Sequence, residues 1–216
     1  MTEDTLRITE IFYSLQGETS TVGLPTTFVR LTGCPLRCHY CDTAYAFHGG
    51  EKYTLRQILG EVEKLRAFRV TVTGGEPLAQ RGCPSLLTAL CDAGYRVSLE
   101  TSGALPIEEV DTRVAVILDL KTPGSGEVAR NDWNNINRLK PGDEVKFVIC
   151  DRTDYEWARL QMDRHELSER NVEVLFSPSH GEIQARSLAD WIIEDRLAVR
   201  MQLQLHKQLW GDAPGK

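Results

Sequence analysis

The sequence predicts an α/β fold: a parallel sheet wound into an incomplete (β/α)6-type barrel, a partial version of the eight-unit barrel, in a single domain spanning residues 1–216. Three observations carry this. Short runs rich in β-branched and aromatic residues alternate about six times with amphipathic helical patterns, the signature of parallel strands joined by right-handed crossovers. A closed eight-unit barrel takes about 250 residues, and the chain has 216. No Pro-, Ser- or Gly-rich linker and no fixed-period repeat divides it.

The elements follow in order. Residues 10–18 read as a strand-like apolar piece leading into a polar turn. Strands are expected at 27–31, 69–73, 96–100, 114–120, 144–150, 172–176 and 200–205, several of them apolar almost throughout, as sheets covered by helices require. Leu55, Ile58, Leu59, Val62, Leu65 and Phe68 recur at steps of three and four, so a helix is expected there with Thr54 as its N-cap. Further helices are expected at 85–93 (stopped by Gly94), 155–162 and 187–193, and a weaker one at 132–139, halted by Pro141-Gly142. In either barrel geometry, chemistry gathers in the loops after the carboxyl ends of the strands.

Charge and composition exclude several classes. Thirty-one acids against 25 bases give a net charge of −6, which argues against a general nucleic-acid binder. No apolar run approaches the roughly 20 residues that span a bilayer. The first residues are acidic where a signal peptide would be basic and then apolar. The expectation is a cytoplasmic protein with no nucleic-acid or membrane partner. Six cysteines in a chain large enough to bury a core without staples point to a thiolate cluster rather than disulfides. Cys83, Cys91 and Cys150 sit among apolar neighbours and read as small buried hydrophobes.

The remaining three form Cys34-x3-Cys38-x2-Cys41, directly after an apolar strand. Three thiolates can hold three irons of a cubane and leave the fourth open, whereas a ferredoxin-like site would supply a fourth cysteine. His39 could instead complete a four-ligand zinc set. One βα unit later comes Val72-Thr73-Gly74-Gly75-Glu76-Pro77, a turn whose glycines allow close backbone approach and whose carboxylate can receive an ammonium. Alone it is an ordinary glycine turn with a solvated Glu. Three other strand ends carry polar turns suited to the same rim: Glu100–Gly103, Asp119–Gly126 and Phe176–His180. Arg30, leaving the first parallel strand, can give a carboxylate two parallel hydrogen bonds, or else forms a surface ion pair.

The cysteine motif, with Tyr40 before its last cysteine and the Gly-Gly-Glu turn behind it, resembles the radical S-adenosylmethionine (SAM) enzymes. The resemblance implies a partial barrel of the radical SAM kind, a [4Fe-4S] cluster on Cys34, Cys38 and Cys41, and SAM chelated at the open iron. The entry run Glu10–Glu18, Arg30, Cys41-Asp42-Thr43 and the late Gln204-Leu205-His206-Lys207 resemble the 7-carboxy-7-deazaguanine synthase family over nearly the whole chain. That resemblance implies conversion of 6-carboxy-5,6,7,8-tetrahydropterin to 7-carboxy-7-deazaguanine with loss of ammonia, on the route to queuosine and other deazapurines, with SAM regenerated and Mg2+ required.

By position, the resemblance places Tyr40, Gly75, Glu76, Asp119, Leu120, Lys121, Ser177, Pro178, Ser179 and His180 around SAM. It places Leu15, Gln16, Gly17, Arg30, Thr73 and His206 against the pterin, with the N-terminal segment 8–26 supplying substrate contacts, and gives Thr43 to Mg2+. It further implies a flavodoxin or ferredoxin as electron donor, and a homodimer. The polar tail 211–216 is expected to be flexible. The rival readings are an activase of glycyl-radical enzymes, which shares the cysteine loop, and a non-enzymatic metal-binding module.

Overall fold

The computed structural model describes residues 5–211, 213 and 215. Its strands form one nine-stranded sheet in the order β3-β1-β2-β4-β5-β6-β7-β8-β9, and the two ends do not meet. The parallel part comprises β2 (Pro25–Leu31), β4 (Arg69–Gly74), β5 (Arg96–Thr101), β6 (Ala115–Leu120), β7 (Glu144–Ile149), β8 (Glu173–Pro178) and the two-residue β9 (Arg200–Met201). β1 (Thr5–Leu15) pairs antiparallel with both β2 and the short β3 (Glu51–Thr54). The expected unclosed barrel is what the sheet forms.

Alternation along each strand sorts the two faces of the sheet. Val70 and Val72 of β4 and Val97 and Leu99 of β5 turn outward into a core with α1 (Leu55–Leu65) and α2 (Cys83–Asp92). Leu118 and Leu120 of β6, Val145, Phe147 and Ile149 of β7 and Phe176 of β8 form a second core with Tyr155, Ala158 and Met162 of α3 (Arg152–Arg164) and Leu188 of α4 (Ala185–Glu194). The intervening residues turn inward, among them Thr73, Glu100, Asp119, Lys146 and Ser177, so the inside of the barrel is polar.

Thr54 caps α1 as expected, in a reciprocal box with Gln57. The helix ends at Leu65, however, because Arg66 takes a left-handed conformation, and Phe68 is exposed. Two further expectations are corrected. Residues 132–139 form no α-helix but a 3-10 turn, Trp133–Arg138. Asn135 there is fully buried and serves the neighbouring crossover instead: it donates to Gly103 O and Leu105 O (3.1 and 2.9 Å) and accepts from Ile107 N. The strand expected at 200–205 stops at Met201: Gln202 N makes the last bond to β8, at Phe176 O, Leu205 N turns to Gly17 O, and α5 (Leu205–Trp210) follows. Cys83 is a core residue; Cys91 and Cys150 are half-buried, and all six cysteines are free thiols.

Candidate active site

The loop after β2 carries the three cysteines, and its root is fixed by main-chain bonds. Gly33 N donates to Ala46 O, while Gly75 N and Glu76 N donate back to Leu31 O and Gly33 O at 3.1 and 2.8 Å. This contact explains Gly75: a Cβ there would overlap the Gly33 carbonyl and crowd Cys34. Farther along, His39 N donates to Ser125 O in the loop after β6. That loop is itself gathered by the buried Asp154 carboxylate, which accepts from Thr122 Oγ1, Gly124 N and Cys150 N.

The cysteine loop, the strand ends and the β1–β2 turn enclose a cavity of about 610 Å³, within the usual size of a small-molecule site. Cys34, Cys38 and Cys41 line it together with Leu36 and Tyr40. Burial pushes the Cys38 thiol up to about 11 and raises Cys34 and Cys41, while the Lys121 ammonium pulls all three the other way. Cys34 Sγ accepts from Leu36 N at 3.4 Å.

Deeper in, charges alternate across the barrel floor. Lys121 Nζ lies 2.9 Å from Asp119, Lys146 Nζ lies 3.4 Å from the other Asp119 oxygen, and Lys146 also pairs with Glu18. Asp119 and Lys146 are register partners on β6 and β7. Burial works against the charge on Asp119, yet Lys121 and Lys146 hold its pKa below the usual range, and the carboxylates correspondingly raise both lysines. Glu100 is different. Burial first, and then Glu18, push its pKa up; Gln16 Nε2 and Thr73 Oγ1 donate to its two oxygens at 3.2 and 2.9 Å. Arg30 Nε donates to Glu10 at 2.7 Å, its guanidinium lies 5.7 and 5.9 Å from the Phe12 and Tyr45 ring centres, and Tyr45 donates to the same Glu10 oxygen. His206 packs on Gly17 so closely that no side chain would fit there; burial lowers its pKa against the pull of Glu18 and Asp42.

Known proteins place this arrangement. The profile of the radical SAM superfamily matches residues 28–120. The chain is 46% identical to the 7-carboxy-7-deazaguanine synthase of Chlorobaculum tepidum, with 99% of each chain covered. It is 44% identical to that of Koribacter versatilis, covering 95% of this chain and 97% of the relative. The chain belongs to the 7-carboxy-7-deazaguanine synthase family. The fold agrees: the crystal structure of QueE from Escherichia coli superposes with a TM-score of 0.76 at 22% identity, covering 93% of this chain and 94% of that one.

A radical SAM protein carries a [4Fe-4S] cluster and SAM, and the residues present fit both. Among the described residues, no group of three or more His, Cys, Asp or Glu could hold a metal ion. A cubane differs in spreading three thiolates over three separate irons. The hydroxyls of Tyr40 and Ser177 are buried without a hydrogen-bond partner and belong to cavity-lining residues; such groups call for a ligand or water.

Of the residues expected around SAM, Tyr40, Gly75, Asp119, Lys121, Ser177, Pro178, Ser179 and His180 line the cavity. Two do not. Glu76 is fully buried behind the wall, its carboxylate taken up by Leu78 N, Thr101 Oγ1 and both the N–H and hydroxyl of Ser102. Leu120 points to the opposite face from Asp119 and Lys121 and joins the outer core, as strand alternation demands. Leu15, Gln16, Gly17, Arg30, Thr73, His206 and Thr43 all line the cavity; the Thr43 hydroxyl donates to Asp42 at 2.7 Å. The expected flexible tail in part stands on the cavity wall, at Gly211, Ala213 and Gly215, while residues 212, 214 and 216 lie outside the described residues.

Sequence reasoning gave no role to Glu18 or Lys146, and took Glu100 only as part of a strand-end turn. For Lys146 and Glu100, a charge beside apolar, outward-facing neighbours of a strand (Val-Lys-Phe, Leu-Glu before the turn) was the available signal.

Proposed function

We propose that the chain converts 6-carboxy-5,6,7,8-tetrahydropterin to 7-carboxy-7-deazaguanine with release of ammonia, serving queuosine and related deazapurine synthesis. The supporting observation is that one cavity joins three cysteines to a floor bearing Arg30, Glu18, Glu100 and Lys146. When bound, the cluster and SAM supply reversible hydrogen-atom abstraction.

The residues divide the remaining work. Arg30, steadied on one side by Glu10 and between two aromatic rings, keeps guanidinium N–H groups for a substrate carboxylate. Glu18 and Glu100 offer acceptors for the amino and ring N–H groups of a pterin, and Lys146 balances their charge. Tyr40 and residues 177–180 take SAM, and Gly75 lets its backbone approach. Thr43 beside Asp42 offers hard oxygen ligands for Mg2+. The reducing electron comes from a flavodoxin or ferredoxin, and the working assembly is a homodimer. Among the described residues no helix is long and apolar enough to cross a membrane.

The test is anaerobic turnover of reconstituted protein with SAM, a one-electron reductant and the pterin, with and without magnesium. The expected result is a product with deazaguanine ultraviolet absorbance, formed faster with magnesium. SAM cleavage with no such product would overturn the substrate assignment.

A further inference from the structure

The sheet is open between its edge strands β3 and β9, and the loop joining β1 to β2 is bonded to the chain that follows β9. This loop carries Gln16, Gly17, Glu18 and Thr19, all on the cavity wall. Thr19 is buried and adopts φ +68°. A β-branched residue in the left-handed region is strained, and such strain persists only where neighbours hold it.

One side chain does so. Gln202 is buried; its Oε1 accepts from Thr19 N at 2.8 Å, and its Nε2 donates to Thr19 O. The carboxamide thus satisfies both backbone groups of Thr19, as a neighbouring strand would. Gln202 is itself anchored, since its own N–H donates to Phe176 O of β8 at 2.9 Å. Three residues on, Leu205 N donates to Gly17 O at 2.9 Å. The two residues flanking this clasp are those that face the substrate floor: Gln16 reaches Glu100, and Glu18 pairs with Lys146.

We propose that Gln202 is a positioning residue for the substrate: it holds Thr19 in its left-handed conformation and so fixes the height at which Gln16, Gly17 and Glu18 enter the cavity. The effect on catalysis rests on the pterin reading above; the effect on the loop does not. A residue without a Cβ adopts positive φ freely, so the Thr19→Gly change supplies by itself the conformation that Gln202 otherwise enforces.

Two readouts test this. In Gln202→Ala, the KM for the pterin rises tenfold or more while kcat and the Kd for SAM stay within twofold, and Gln202→Ala/Thr19→Gly recovers most of the lost KM. Independently of substrate, hydrogen exchange of the Gly23 amide speeds up at least tenfold in the apoprotein variant. That amide is bonded to Gln16 O at 2.8 Å and not to Gln202, whose carboxamide bonds to Thr19. Should Gln202→Ala not fold, Gln202→Glu serves, keeping the acceptor for Thr19 N and losing the donor to Thr19 O. An unchanged KM, an unchanged Gly23 exchange rate, or a double variant as impaired as the single one would overturn the proposal. If wild-type protein fails to turn over the pterin, the function reading falls, and the exchange comparison still decides the clasp.

Discussion

Arg30 shows how one residue's neighbours decide its use. Glu10 takes its Nε, and the Phe12 and Tyr45 ring centres lie 5.7 and 5.9 Å from the guanidinium carbon, so what is left is a fork rather than a mobile charge. Arg30→Lys keeps the charge and loses the fork; losing one charge-assisted hydrogen bond is worth about 1.5–3 kcal/mol. The KM for the pterin should rise tenfold or more with kcat nearly unchanged, as steady-state kinetics will read. Glu100 gives a prediction in pH. Its pKa in the folded protein is raised above the ordinary 4.5, by burial and by Glu18. The folded state therefore binds the proton more tightly than the unfolded one. The stabilisation is fully present below pH 4.5 and is lost as pH rises through the raised value. Glu100→Gln does not titrate, so its melting temperature should gain on that of the wild type as pH rises from 4 towards 7. A constant offset across that range would contradict the burial argument.

At the scale of elements, the crossovers after β4, β7 and β8 contain the helices that periodicity announces, and those after β5 and β6 contain none. The reason lies in Asn135. A buried amide that spends its donors on Gly103 O and Leu105 O cannot sit on the solvent face of an amphipathic helix, and the run Trp-Asn-Asn-Ile-Asn-Arg closes as a 3-10 turn around it. Asn135→Ala leaves Leu105 O and Ile107 N without partners, while Gly103 O keeps Asp132 N; it should cost about 2 kcal/mol, read as a lower urea midpoint at unchanged slope. Parallel strands were legible because the outer faces of these Val-, Ile- and Leu-rich runs lie under helices, and the cysteine loop because its spacing is rare. Glu76 and Leu120 lie off the cavity wall, which the motif did not reveal because it records neighbours along the chain and not which face of the sheet each one meets. Gln202 was hidden because its partner, Thr19, lies 183 residues away.

At the scale of the molecule, two outer cores carry the fold and leave the barrel interior free to be polar. The floor from Glu18 through Lys146 and Asp119 to Lys121 is tolerable because each charge has an opposite neighbour. Lys146→Ala would strand the Glu18 carboxylate while Asp119 keeps Lys121; removing one partner of such a buried pair costs about 3–5 kcal/mol, to be measured by equilibrium denaturation of the apoprotein. One feature reaches further. The cysteine loop is rooted by amide-to-carbonyl bonds from Gly75 and Glu76, none of which involves a thiol. Iron–sulfur assembly should therefore be an event on a finished scaffold, and stripping the inorganic core with a chelator should bleach the brown colour while the far-ultraviolet circular dichroism stays as it was. A cell short of iron would then accumulate a folded, waiting polypeptide instead of a degraded one.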